Sequence, residues 1–183
     1  QSLALQKVEN ELALAGQIQA TFLPHDLPQI PGWQVTAALM PALETSGDFY
    51  DVIPLSNGRW GIVVADVADK GMGAALYMAL SRTLIRTYAL QYYRRPDYVL
   101  KAANKRILMD TASDLFVTVF YGVLDPRSGT LTYANAGHNP PFFLKVANGD
   151  APELLCRTGM PLGIFEGQEW EQAELQIEVG DTL

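Results

Sequence analysis

At 183 residues with 49% hydrophobic side chains, the chain holds enough apolar material for one packed core and too little length for two full domains. A formal charge of -7, from 13 Lys+Arg against 20 Asp+Glu, excludes the concentrated basic surface that nucleic-acid binding needs. One cysteine (Cys156) and two histidines (His25 and His138) exclude a disulfide framework and a Cys- or His-built zinc centre, so any metal must be held by oxygen.

Apolar residues at Leu5, Val8, Leu12, Ala15, Ile18 and Phe22 recur every three or four positions and predict a helix over 1–23, stopped by Pro24. Its stripe suits packing on its own domain or pairing with a second copy in a short coiled coil. The abrupt start at Gln1 points to a longer parent protein, so residues 1–24 are set apart as a linker or regulatory helix from a domain over 25–183. After the turn-rich stretch to Gly32, β-like runs are expected at Trp33–Met40, Phe49–Ile53 and Trp60–Val67. Ala74–Tyr93 is apolar nearly all round and predicts a buried helix with Leu76, Leu80, Leu84 and Tyr88 on one face. Pro96 opens a second helix to about Thr111, on which Val99, Ala103 and Ile107 repeat every four residues. The pairs Arg82/Arg86 and Lys101/Lys105/Arg106 are expected on solvated helix faces.

From Leu115 the pattern turns to strands: Phe116–Leu124, Leu131–Ala136, Phe142–Val146, Glu153–Cys156 and Glu171–Ile177. Strands, two consecutive helices and strands again predict an α+β domain of antiparallel sheets with helices on their faces. No apolar run approaches the roughly 20 residues that span a bilayer, and no signal peptide opens the chain; together with the lone cysteine this makes a cytoplasmic protein without membrane contact the expectation.

Two acidic clusters place aspartates beside glycines at strand edges: Ser46-Gly47-Asp48-Phe49-Tyr50-Asp51 and Asp66-Val67-Ala68-Asp69-Lys70-Gly71. Asp66 ends an apolar strand, where a buried charge needs compensation; a bound cation supplies it, and so does capping the next helix. Oxygen ligands with almost no His or Cys select Mg2+ or Mn2+, ions that usually serve phosphate chemistry.

In this order, Gln17-Ile18-Gln19, Leu23-Pro24, Ser46-Gly47-Asp48-Phe49-Tyr50-Asp51, Asp66-Val67, Lys70-Gly71, Ala74-Ala75-Leu76, Phe116-Val117-Thr118, Tyr133-Ala134-Asn135-Ala136-Gly137-His138-Asn139-Pro140-Pro141, Pro161-Leu162-Gly163 and Gly180-Asp181 resemble the PPM (PP2C-like) phosphatases of the SpoIIE and RsbU type. The resemblance implies two packed antiparallel sheets with helices outside, an α-β-β-α sandwich, and a two-metal centre of Mn2+ or Mg2+ at one edge. It implies a metal-dependent protein serine/threonine phosphatase acting through a metal-activated water on a phosphorylated STAS-type antagonist protein, with a sensor domain upstream and the N-terminal helix as a candidate dimer contact. Asp48 and Asp66 would be the catalytic metal ligands, joined by the main-chain carbonyl of Val67. Asp69 and Lys70 are candidates for an outer contact or for the substrate phosphate; Asp51 is a further candidate, with a structural role in the turn preferred. For His138 and Asn139 a loop-shaping hydrogen bond is preferred to acid/base work, and Phe142 and Phe143 read as strand packing. Two departures stand out: many relatives carry Ser-Gly in place of Ala68-Asp69 and Pro in place of Gly73. The family also continues past Leu183 into a strand and an Asp-Gly motif, so a further metal-binding Asp is expected beyond a C-terminus that reads as truncated. The rival reading is a non-catalytic PP2C-like binding or regulatory module.

Overall fold

The computed structural model describes residues 3–41, 44–149 and 151–183. The N-terminal periodicity forms α1 (Leu3–Ala20), the predicted start at Gln1 lying outside the described residues. Two strands follow, β1 (Phe49–Pro54) and β2 (Trp60–Val67), then two helices, α2 (Met72–Gln91) and α3 (Pro96–Asp110). The chain returns to strands in β3 (Val117–Asp125), β4 (Thr130–Ala136), β5 (Phe142–Phe143), β6 (Glu153–Leu154) and β7 (Ala173–Gln176). Five of them make one antiparallel sheet in the order β1-β2-β3-β4-β7, and β5 pairs with β6 in a second. The α+β architecture of two antiparallel sheets with helices outside is therefore as the sequence predicts.

Strand alternation sorts the core into two faces. Val117, Val119, Tyr121 and Val123 of β3, with Val63, Ala65 and Val67 of β2, pack under Tyr77, Met78 and Ile85 of α2 and Val99, Ala103 and Ile107 of α3. Phe120, Leu124, Leu131, Tyr133 and Leu175 turn to the other face and meet Phe143 and Leu155 of the small-sheet region. Of the aromatic pair on β5, Phe143 is wholly buried and Phe142 stays exposed.

Three expectations are corrected. Trp33–Met40 forms no strand: Trp33 donates its indole N–H to the Pro126 carbonyl and packs beside the second core, but the segment has no ladder partner, and alternation without a paired backbone leaves it irregular. On α2, Leu76 is 67% exposed; the helix instead lies down on Ala74, Tyr77, Met78, Ser81, Ile85 and Ala89, whose small members allow close approach to the sheet. Arg82 and Arg86 do not form a solvated face, since both ion-pair with Asp51 and the Arg82 side chain is only 14% exposed.

Candidate active site

Register decides which acidic side chains meet. Phe49 pairs with Ala65 across β1 and β2, so Asp48, one residue before, falls beside Asp66, one residue after, on the same face of the sheet. That face is turned away from α2 and α3, and the short second sheet leaves Val64 and Asp66 exposed on it. Partial withdrawal from water, then the hydrogen bond to Asp48 and that residue's charge, push the Asp66 carboxyl up to about 6. Neither carboxylate takes part in a salt bridge among the described residues. Asp66 does not cap α2: the N-cap is Gly71, with no side-chain cap bond.

The Asp48 loop is tied on several sides. Ser46 Oγ accepts the Asp48 N–H at 3.0 Å, and the Val67 N–H reaches the Gly47 carbonyl at 3.4 Å. Glycine at 47 keeps this approach close, because a Cβ would sit tightly at 3.1 Å from the Val67 carbonyl oxygen and 3.2 Å from the Val67 Cβ. The Val67 carbonyl thus faces the loop that carries Asp48.

Next along the sheet, Asp66 pairs with Thr118, whose hydroxyl reaches the Asp66 carbonyl at 3.3 Å and His138 Nδ1 at 2.9 Å. His138 is held through its own N–H by Asn135 Oδ1 at 2.9 Å, while buried Asn135 also donates to the Leu155 carbonyl. Burial lowers the His138 pKa and the Asp48 charge opposes the shift. Thr118 and Asn135 stand in the motif series, yet no spacing rule marks either as a neighbour of the acidic pair.

The remaining candidates separate. Asp51 is buried on the helix-facing side, with Arg86 Nη1 2.8 Å from both carboxylate oxygens and Arg82 Nη2 at 2.9 Å, so it does not join Asp48 and Asp66. Asp69 and Lys70 are exposed in the turn after β2, where Asp69 Oδ1 accepts the Lys70 N–H at 2.8 Å. Asp69 has φ 130°, a conformation that favours glycine. Relief of that strain should make Asp69→Gly about 1 kcal/mol more stable than wild type, an expectation that urea unfolding of the two proteins checks.

Two carboxylates and a main-chain carbonyl are hard oxygen donors, and a partly desolvated Asp66 beside the Asp48 charge is what a divalent cation would compensate; on both counts the residues fit Mn2+ or Mg2+. Among the described residues no group of three or more His, Cys, Asp or Glu side chains gathers as a metal cage. Asp48 and Asp66 are thus the acidic part that the described chain brings together.

The fold and paired acids define a PP2C-like domain. Residues 56–183 match the family model of Stage II sporulation protein E (SpoIIE), and the chain belongs to that family. It is similar to Protein IcfG of Synechocystis, 33% identical over 94% of this chain and 31% of the relative, and to the phosphoserine phosphatase RsbU of Bacillus subtilis, 29% identical over 97% of this chain and 52% of RsbU. The chain therefore spans a third to a half of the length of these relatives. The SiaA-PP2C domain of Pseudomonas aeruginosa superposes with a TM-score of 0.77 at 19% identity, over 99% of this chain and 72% of that one. Among the described residues no helix is long and apolar enough to cross a membrane.

Proposed function

We propose that the chain is the core of a metal-dependent protein serine/threonine phosphatase that hydrolyses phosphoserine or phosphothreonine on a STAS-type antagonist protein. The observation that carries this reading is the side-by-side placement of Asp48 and Asp66 on one open face, with Asp66 raised to about 6. Asp48, Asp66 and the Val67 carbonyl would hold Mn2+ or Mg2+, completed by an Asp beyond Leu183. When bound, two such ions supply charge for the phosphoryl oxygens and an acidified water for in-line attack. Lys70, exposed beside the site, attracts the substrate phosphate as a point charge, and Asp69 adds negative charge near the ions. Thr118 orients His138 and keeps the turn after β4 against the acidic pair. In the parent protein, 25–183 is the catalytic domain and the segment 1–24, which carries α1, is the link to an upstream sensor; exposed Val8, Leu14 and Ile18 suit that contact or a second copy of the chain. The lone cysteine and the protein substrate suit a cytoplasmic site of action.

The test is phosphate release from a phosphoserine STAS protein with Mn2+, with and without chelator, for the full-length protein beside the 183-residue chain. Metal-dependent release by the full-length protein, lost with chelator, supports the reading. Release from nucleotide or sugar phosphates and not from the phosphoprotein would replace it with a small-molecule phosphohydrolase. A second reading, a non-catalytic PP2C-like module, draws on the lack of a three-carboxylate cage among the described residues. Tight substrate binding by the folded full-length protein without phosphate release would favour it.

A further inference from the structure

Gln19 is the one buried residue of α1 along Leu3–Ala20, an odd place for a carboxamide on a helix whose apolar positions Val8, Leu14 and Ile18 stand exposed. Its burial is explained by what it touches. Gln19 Nε2 donates to the Ser46 carbonyl at 2.6 Å, and Gln19 Oε1 accepts the Ser46 N–H at 2.8 Å, so the amide pairs with both polar groups of one residue's backbone. The same Nε2 reaches the Ala75 carbonyl in the first turns of α2 at 3.5 Å. One helical turn earlier on this face, Gly16 lets α1 come close, since a Cβ there would collide with the Glu44 carbonyl. Helix and loop are therefore built to touch at this point.

The held residue lies two positions before Asp48, and Ser46 passes the constraint on directly. Its backbone is fixed by Gln19, and its hydroxyl accepts the Asp48 N–H at 3.0 Å. Without the carboxamide, the Ser46 N–H and carbonyl lose their protein partners at this contact, and among the described residues the tie from Ser46-Gly47 to β2 is the long Val67 to Gly47 bond. A loop that wanders must be ordered again whenever a cation binds.

We infer that Gln19 is a positioning residue: its carboxamide clamps the Ser46 backbone and so sets where Asp48 presents its carboxylate to a divalent cation. The inference rests on the metal-phosphatase reading and adds to it a determinant of cation affinity that lies on the linker helix, outside the acidic motifs. Groups that orient a metal ligand are worth roughly 10- to 100-fold in metal affinity.

The experiment measures the Mn2+ dissociation constant of the full-length protein by titration calorimetry for wild type, Gln19→Ala, Gly16→Ala and Gln17→Ala, with a thermal melt of each metal-free form. Gln19→Ala is expected to raise the Mn2+ constant at least about tenfold. Gly16→Ala, which pushes the helix off the loop while favouring helix locally, should act in the same direction and covers the case in which Gln19→Ala fails to fold. Gln17→Ala, at an exposed position of the same helix, should change nothing. Phosphate release by Gln19→Ala should recover towards the wild-type rate as Mn2+ is raised, which a merely structural defect would not do. Mn2+ affinities of Gln19→Ala and Gly16→Ala within twofold of wild type overturn the clamp and leave the metal reading standing. A wild-type protein that binds no Mn2+ overturns the metal reading and the clamp with it.

Discussion

Asp66→Asn in the full-length protein should abolish Mn2+-dependent phosphate release, by at least about a thousandfold, while making the metal-free protein more stable at neutral pH. The two effects share one cause. The folded pKa of Asp66 is raised from 3.8 to about 6 by desolvation and by the hydrogen bond to and charge of Asp48. A raised carboxyl pKa means that the folded state holds its proton longer than the unfolded chain does. The stability it contributes is fully present below about pH 3.8 and is lost as the pH rises through about 6. At pH 7 Asp66 carries its charge in a partly desolvated place beside Asp48, and asparagine removes that charge. A shift of this size corresponds to about 3 kcal/mol, but Asp66 lies at an exposed position, so solvent screening reduces the expected gain to about 1 kcal/mol. Thermal melts at pH 4.5 and pH 7, with and without Mn2+, read all of this: wild type gains from Mn2+ at pH 7, and the variant gains from the substitution and not from the metal. Equal turnover in Asp66→Asn would sink the catalytic assignment.

The second large effect is expected at Asp51, and it is one of stability. Its carboxylate is 3% exposed and meets two arginines, one of which, Arg82, is itself mostly buried. Burial lowers the Arg82 pKa and Asp51 opposes the shift, so the carboxylate is what keeps a buried guanidinium charged at tolerable cost. Asp51→Ala leaves that charge uncompensated between β1 and α2 and should destabilise the fold by about 3–5 kcal/mol in urea unfolding. Mn2+ affinity of the folded fraction should stay within a few fold of wild type, because Asp51 points to the opposite face from Asp48 and Asp66. A stable Asp51→Ala protein that had lost Mn2+ binding would return Asp51 to the metal site.

These two aspartates show how much of the site could be read from the chain. Asp48 and Asp51 lie three residues apart in one motif and carry the same chemistry, yet strand alternation sends them to opposite faces, and only the packing of α2 says which face is covered. The motif order pointed to Asp48 and Asp66, and register places them together. Gln19 stood in the motif series within Gln17-Ile18-Gln19, but its role was not legible there, because a glutamine on an amphipathic helix looks the same whether it meets water or a loop 27 positions away.

Local pattern was enough for the elements themselves. β2 runs over Trp60–Val67 and α3 starts at Pro96, both as predicted, because a strand's alternation and a proline's fixed φ act within a few residues. The sequence by itself thus determined most of the strands and helices and the α+β class, and its motif series pointed to Asp48 and Asp66. Tertiary structure decided the rest: that Trp33–Met40 finds no ladder partner, that α2 lies on its small residues while Leu76 faces water, that Asp51 serves the arginines, and that α1 holds the Asp48 loop through Gln19. The physical reason is range. Periodicity and backbone sterics are settled between near neighbours, whereas the partner of a buried polar group is set by which distant segments the register and packing of the whole sheet bring into contact.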